Sequence, residues 1–243
     1  MPRTEKVIVA NFYGGGNKQG DRLRRWLSFI GFHVVLISEL GHLIDELEKI
    51  GKVYYNRKES RPYDVGILVS SSVMNRSARA ISWMGGKLTP FVRRKGPAKR
   101  LWRDRWFVRV RIWGRVYYSI HANAAITGPK GNWVHNKGAA VWKEALRELQ
   151  GMIREDIKKG LRVRVGGDFN MIESDAENAP NDFFEELGMR HVHDRVMWFG
   201  WNPDTDRLVE HRVLGIAPGA DAHNVLVVKL RRIRRKRNRK NRR

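Results

Sequence analysis

Short apolar runs rich in β-branched residues recur along this chain, and none is long enough to stand as a helix. Lys6–Ala10 (KVIVA), His33–Ile37 (HVVLI) and Val65–Ser70 (VGILVS) each have the length and composition of a buried strand. Between them the period changes. Leu23, Trp26, Leu27 and Ile30 recur at i, i+3, i+4 and i+7, with Asp21 placed as an N-cap and Gly31 as a stop. Leu43, Ile44, Leu47 and Ile50 mark a second, shorter helix. Trp142, Leu146, Leu149 and Ile153 give one apolar face to a helix over about 139–158, closed by Gly160. Trp106–Ile112 and Val116–Ile120 alternate and predict a hairpin turning near Gly114. Further strands are expected at VRVGG before Asp168, and over Val192–Phe199, Leu208–Leu214 and Asn224–Leu230, with a short helix after Pro180. About four helices and many strands result. Hairpins mixed with helix-connected crossovers exclude a purely parallel sheet and point to an α/β (α+β) domain of stacked sheets covered by helices. There is no internal repeat and no Pro/Ser-rich linker, so one domain over 1–230 is expected, followed by a basic, disordered tail over 231–243.

The charge balance narrows the partner. The 48 Lys and Arg outnumber the 25 Asp and Glu, a net charge of +23. Ten of the cations crowd into the acid-free tail, so the body alone carries +13. A basic tail by itself is a solvated end, but a basic body as well favours a polyanion, and nucleic acid is the expected one. Gly85–Arg100 and the residues after it form a Gly/Pro-rich basic loop. Arg93, Arg94, Lys95, Lys99, Arg100 and Arg103 could track a phosphate backbone there while Trp102 stacks; the bland alternative is a solvated loop with a core tryptophan. Arg231, Arg232, Arg234 and Arg235 open the tail and would add salt-sensitive affinity. No base-reading motif is present, so little sequence specificity is expected. Without cysteine there is no disulfide and no Cys-based zinc site. No apolar run reaches the ~20 residues of a membrane span. The opening MPRTEKVIVANF lacks a signal-peptide core. The expectation is an intracellular monomer, cytoplasmic or at the nucleoid or nucleus, with no membrane partner.

Polar residues fall where the apolar strands end. Asn11 follows VIVA, Glu39 follows HVVLIS, His121 follows VYYSI, and Asp168 follows VRVGG with Asn170 two residues on. Asp194 lies in the strand near 192–199, and His223 precedes the last strand. Each has an ordinary explanation: a turn cap for Asn11, a helix N-terminal charge for Glu39, a satisfied core histidine for His121, an Asx turn for Asp168 and Asn170, a surface ion pair for Asp194, a turn for His223. Their joint placement at strand ends is what argues for a site.

At these residues the sequence resembles the endonuclease/exonuclease/phosphatase superfamily, which includes pancreatic deoxyribonuclease, abasic-site endonucleases, sphingomyelinases and inositol-phosphate phosphatases. The resemblance covers about 6–230. Its most specific piece is Gly167-Asp168-Phe169-Asn170, matching the family's G-D-F-N after a strand. Asn11 and Glu39 match the first- and second-strand positions, and Asp194-Arg195-Val196 the D-R-[IV] strand. His121-Ala122-Asn123 is similar to the deoxyribonuclease branch, where abasic-site endonucleases usually place tyrosine. His223 follows Asp194 by 29 residues, as in the family's S-D-H. Here, however, the run is Asp221-Ala222-His223, which puts one carboxylate near the metal in doubt.

The resemblance implies a four-layer sandwich and a divalent-metal-dependent phosphodiesterase cleaving nucleic acid, with double-stranded DNA the expected substrate. Asn11, Glu39 and Asp221 would hold Mg²⁺ or Mn²⁺, which takes few protein carboxylates and acts as a Lewis acid. Asp194 would orient an imidazole or the attacking water. His223 would be base or phosphate donor, with Asp168 sharing that role or positioning water. Asn170 would hold a phosphate oxygen, and His121 would protonate the leaving oxygen. Two other readings stay open: a phosphatase or phospholipase of the same fold, which the wide basic surface disfavours, and a catalytically impaired nucleic-acid-binding module, which Ala222 favours.

Overall fold

The computed structural model describes residues 4–12, 17–55, 63–77, 81–87, 106–112, 114–122, 126–127, 133–170, 179–216 and 224–233. In chain order the elements are β1 (Thr4–Asn11), α1 (Asn17–Ile30), β2 (Val34–Gly41), α2 (Ile44–Glu48), β3 (Gly51–Tyr55), β4 (Tyr63–Ser70), α3 (Ser71–Ser77) and β5 (Ile81–Lys87). They continue with β6 (Trp106–Ile112), β7 (Arg115–His121), β8 (Ile126–Thr127), β9 (Trp133–Val134), α4 (His135–Lys158) and β10 (Arg162–Asp168). The last are α5 (Ala179–Glu186), β11 (Arg190–Asp194), β12 (Met197–Trp201), β13 (Asp206–Ile216) and β14 (Asn224–Arg232).

Two six-stranded sheets result. The first has the order β13-β14-β1-β2-β4-β3 and the second β11-β12-β10-β7-β6-β5; β8 and β9 pair separately. Each large sheet contains one parallel pair, β1–β2 and β7–β10. A parallel pair needs a crossover, and the helical segments supply them: α1 joins β1 to β2, and α4 lies between β7 and β10.

Side-chain alternation assembles the layers. On β1, Val7 and Val9 enter the core between the sheets, while Ile8 and Ala10 pack outward under Leu23 and Leu27 of α1. On β2, Val34 and Leu36 face inward, Val35 and Ile37 outward. On the second sheet, Val163 and Val165 of β10 face Leu146, Leu149 and Ile153 of α4 and Phe183 and Phe184 of α5. Strands covered on both faces read as continuous apolar runs, which is why KVIVA and HVVLI show no polar alternation. The order helix, sheet, sheet, helix is the four-layer sandwich expected from the sequence.

The structure amends several element boundaries. Val192–Phe199 is not one strand but the hairpin of β11 and β12, turning at Arg195 and Val196 with Asp194 opposite Met197. Helix α1 begins at Asn17, so Asp21 is not its N-cap; its carboxylate instead pairs with Arg24 and Arg25. Strand β5 takes 85–87 out of the expected basic loop, the short pair β8 and β9 precedes α4, and α4 begins at His135, ahead of the expected 139. Strand β14 runs on to Arg232, so Arg231 and Arg232 belong to the first sheet. Strand β3 and helix α3 had no sequence signal strong enough to predict them. No described helix is long and apolar enough to cross a membrane.

One end of the sandwich is closed by charge. On the inward face, Arg164 of β10 places Nη2 2.9 Å from Glu5 on β1 and 2.9 Å from Asp206 on β13. Arg115 lies 3.5 Å from Glu5, Arg162 also engages Asp206, and the Tyr117 hydroxyl donates to Glu5. Burial pushes the Glu5 carboxyl up, but Arg164, Arg115 and the Tyr117 hydrogen bond together hold it below its ordinary value. Asp206 is likewise raised by burial and lowered further by Arg162 and Arg164. A depressed carboxylate stabilises the fold above its unfolded pKa, and that contribution is lost as pH falls through the folded value. Neutralising Glu5 leaves the buried guanidinium groups of Arg115 and Arg164, and that of Arg162, with Asp206 as the carboxylate of the cluster, so Glu5→Gln is expected to cost about 3–5 kcal/mol at neutral pH. In urea titrations the wild type should lose stability below about pH 4, while Glu5→Gln should lose less over the same window.

Candidate active site

The opposite end of the sandwich collects different polar residues. Asn11 and Ser38 end the inward faces of adjacent strands, with the two in register. Across from them on the second sheet, His121 is in register with Asp168, Asp168 with Met197, and Met197 with Asp194. The strand order therefore lines up His121, Asp168 and Asp194 along one inward-facing row. Asn170 follows directly after β10.

Hydrogen bonds join the sheets here. Asn11 Nδ2 donates to Asp168 Oδ2 at 2.9 Å, between residues 157 apart in sequence. The Ser38 hydroxyl donates to the Ile120 carbonyl and accepts from the Asp168 amide, both at 3.0 Å. Ser119 returns a bond from the second sheet to the Ile37 carbonyl at 3.1 Å. Asp168 also accepts from the Asn170 amide at 2.8 Å, which is the Asx turn anticipated from D-F-N, and Asn170 Nδ2 donates to the Ala122 carbonyl at 2.8 Å. The turn and the site are thus the same feature. Asp168, His121 and Asn11 are all at most 2% exposed.

Backbone strain gathers at this end. Among the described residues, the non-glycine positions at positive φ are Glu39 (54°), Asn170 (52°) and Arg195 (50°). Asn170 and Arg195 lie just beyond the ends of β10 and β11, and Glu39 lies within β2 near its end. Glu39 sits in a bulge: β2 fits Ser38 to Gly41 against only Val65 to Tyr63 of β4. A bulge breaks the alternation and re-aims one side chain. It brings Glu39 Oε1 within 3.6 Å of His121 Nε2 while leaving the Glu39 side chain 25% exposed. A non-glycine left-handed residue costs on the order of 1–3 kcal/mol, and such residues cluster at functional sites. Glu39 is therefore not a helix N-terminal charge; the acids in the first turn of α2 are Asp45 and Glu46.

Gly167 explains the first letter of the G-D-F-N run. Its φ is 147°, and a Cβ there would lie 1.9 Å from the Ile120 carbonyl oxygen. Only glycine lets β10 lie this close to β7.

Two site residues carried no sequence signal. Ser38 stands beside Glu39 but shows its importance only when the second sheet is in place. Asn224 opens β14 and donates Nδ2 to Asp194 Oδ2 at 2.8 Å, a second tie between the sheets. Asp194 is thus held by Asn224, not by an ion pair on a surface strand.

The described donors are hard oxygens: the partly exposed Glu39 carboxylate, the Asn11 amide and the Asp168 carboxylate. Among the described residues no group of three or more His, Cys, Asp or Glu forms a ready metal cage. One accessible carboxylate with amide oxygen nearby fits a Mg²⁺-type ion, which keeps most of its waters, better than a zinc site. Asp221 and His223 lie outside the described residues, as do Arg93, Arg94, Lys95, Lys99, Arg100, Arg103, Arg234 and Arg235. Arg231 and Arg232 are at the far end of the molecule, at the end of β14, and do not join this site.

Two stacked mixed sheets with crossover helices outside are a fold that this chain shares with solved structures of the endonuclease/exonuclease/phosphatase family. The chain is similar in structure to a protein of that family from Bacteroides thetaiotaomicron, with a TM-score of 0.65 and 13% identity over 93% of this chain and 94% of the other. The human Nocturnin catalytic domain, solved with a bound sulfate, gives 0.65 and 12% over 96% of each chain. Truncated TDP2 from Caenorhabditis elegans gives 0.61 and 15% over 94% and 98%. No protein-family model matches the sequence, and neither does any curated protein.

Ser38→Ala removes one hydroxyl that serves two buried partners. An unsatisfied buried group costs about 1–3 kcal/mol, and thermal unfolding should register that loss. Ser38→Thr, which keeps the hydroxyl, should recover part of it.

Proposed function

We propose that this protein is a divalent-metal-dependent phosphodiesterase that cleaves nucleic acid, with double-stranded DNA as its substrate and little sequence preference. The observation that carries the reading is the joining of Asn11, Glu39, His121, Asp168, Asn170 and Asp194 at one strained edge of a sandwich of this fold. The net charge of +23 supports a polyanionic substrate over a small phosphate ester or a lipid headgroup.

Glu39 and Asn11, with Asp221, would hold Mg²⁺ or Mn²⁺. The ion would supply Lewis-acid stabilisation of charge on the phosphoryl group. The chain's own groups do the rest. Asn170, fixed by its Asx turn, would hold a phosphate oxygen. Asp168 is oriented by the Asn11 and Asn170 donors, so its carboxylate can position the attacking water without reorganising. Asp194 is anchored by Asn224, the residue after His223, which supports a pairing of Asp194 with that imidazole. His223 then takes the proton of the water or steadies the phosphate. His121, beside Glu39, donates to the leaving oxygen. Ala222 takes the place of a family carboxylate, and the same experiment decides whether turnover survives that change.

The test is cleavage of a labelled duplex and nicking of a supercoiled plasmid. Mg²⁺ or Mn²⁺ should support both, and activity that persists in excess EDTA would contradict the reading. His223→Ala and Asp168→Asn should each lower single-turnover cleavage by on the order of 10²–10³, the typical effect of removing one group that stabilises the transition state. The duplex affinities of both should stay near wild type, as should the circular-dichroism melt of His223→Ala. Asp168→Asn turns one of two buried acceptors into a donor facing Asn11 or the Asn170 amide, so it should fold but melt lower. A folded His223→Ala variant that cleaves normally would show the base to lie elsewhere. Binding without cleavage in the wild type would make the protein a binding module.

A further inference from the structure

The outer face of the first sheet is only partly covered. Helices α1 and α2 shield Ile8, Ala10, Val225 and Val227, but the rows beyond them, toward the Glu5–Arg164 end, carry charge. In one row Lys6 on β1 lies opposite Lys229 on β14, which lies opposite Glu210 on β13. In the next, Thr4 lies opposite Arg231, and Arg231 opposite Arg207. Arg212 closes the strip from β13.

Like charges directly opposite on neighbouring strands are destabilising, and here two such pairs stand side by side. Five cations share one carboxylate, Glu210, which Lys229 reaches at 2.6 Å and Arg212 also contacts. Lys6 rests on the last carbonyl of α1, Ile30, at 2.5 Å. Partial burial and Lys229 hold Lys6 below its ordinary value despite Glu210. Arg207 and Arg231 are exposed. A polyanion bound from outside would relieve this repulsion.

The strip lies away from the catalytic edge. Asn11 lies five positions along β1 from Lys6, roughly 17 Å at ~3.3 Å per residue. Beyond Arg232 the chain leaves at this same end, with the Ile233 amide bonded to the Thr205 carbonyl at 2.9 Å. Residues 234–243 then add eight more Lys and Arg and no acid.

We propose that Lys6, Arg207, Arg212, Lys229 and Arg231 form a second, non-catalytic site for the sugar-phosphate backbone of a nucleic acid, which anchors the polymer away from the point of cleavage. The choice of polymer rests on the proposed function; the existence of the site does not. Nucleic acid fits better than an anionic membrane, because the exposed apolar side chains at the strip, Val209 and Ile233, are single aliphatic groups among cations and form no continuous apolar face to insert into a bilayer. Arginine also suits phosphate oxygens through paired N–H donors.

The experiment measures binding of the full chain to a labelled duplex in EDTA, so that no cleavage enters, across a salt series. Arg207→Gln/Arg231→Gln should weaken binding on the order of tenfold and flatten the slope of log affinity against log salt by about 1.8, since each phosphate that a cation neutralises contributes ~0.9. Its melting temperature should be unchanged or higher, since a like-charge pair is relieved; a purely structural role would lower it. Unchanged affinity and slope would overturn the proposal. So would loss of binding to phosphatidylserine vesicles with duplex binding intact, which would assign the strip to a membrane surface. Failure of the wild type to cleave with Mg²⁺ would reject the nuclease reading and leave this result standing.

Discussion

Everything at the candidate site depends on how closely the two sheets approach, and two sets of cross-sheet polar contacts set that approach. At one end Arg164 reaches Glu5 and Asp206. At the other, Asn11 reaches Asp168, while Ser38 and Ser119 bond the backbone of the opposite sheet. Between them the inward face of β1 reads Glu5, Val7, Val9, Asn11, and that of β10 reads Arg164, Gly166, Asp168. Gly166 is part of the same constraint, since a Cβ there would stand 3.0 Å from Leu36 and from the Trp198 carbonyl. Apolar packing holds the sheets together without fixing their register. The directional bonds at either end do fix it.

The two ends differ in kind. The Glu5–Arg164 end is sealed: its charges are buried, paired and remote from solvent. At the Asp168 end Asn11, His121 and Asp168 are buried too, but Glu39 reaches solvent there through a bulge at unfavourable φ. The molecule thus concentrates its strained backbone where a reaction would need side chains already in place. Neutral donors, the Asn11 side-chain amide and the Asn170 backbone amide, orient the central carboxylate there, while the Ser38 hydroxyl accepts from the Asp168 backbone amide.

Net charge is distributed with a direction. The sheet face furthest from Asp168 carries unbalanced cations, and the basic terminal run begins beside it. If substrate strands bind at both ends, the affinity of the molecule and its chemistry are separable properties, governed by different residues.

The sequence by itself determined the layers and much of the site. Short β-branched runs without alternation could only be strands buried on both faces, and helical spacing at Leu23–Ile30 and Leu146–Ile153 could only be their outer cover. Polar residues at strand ends marked Asn11, Glu39, His121 and Asp168, because strand ends in such a fold meet at one edge. What the sequence could not supply was contact between residues of different sheets, 30 to 157 positions apart. Ser38 and Asn224 look like ordinary strand residues until the second sheet stands opposite them. The hairpin at Arg195 read as continuous strand because its turn uses arginine where glycine or asparagine is usual, a choice only the surrounding structure can sustain. The repulsive rows of Lys6–Lys229 and Arg207–Arg231 were invisible for the same reason: strand register is a property of the assembled sheet, and it alone decides which charges stand side by side.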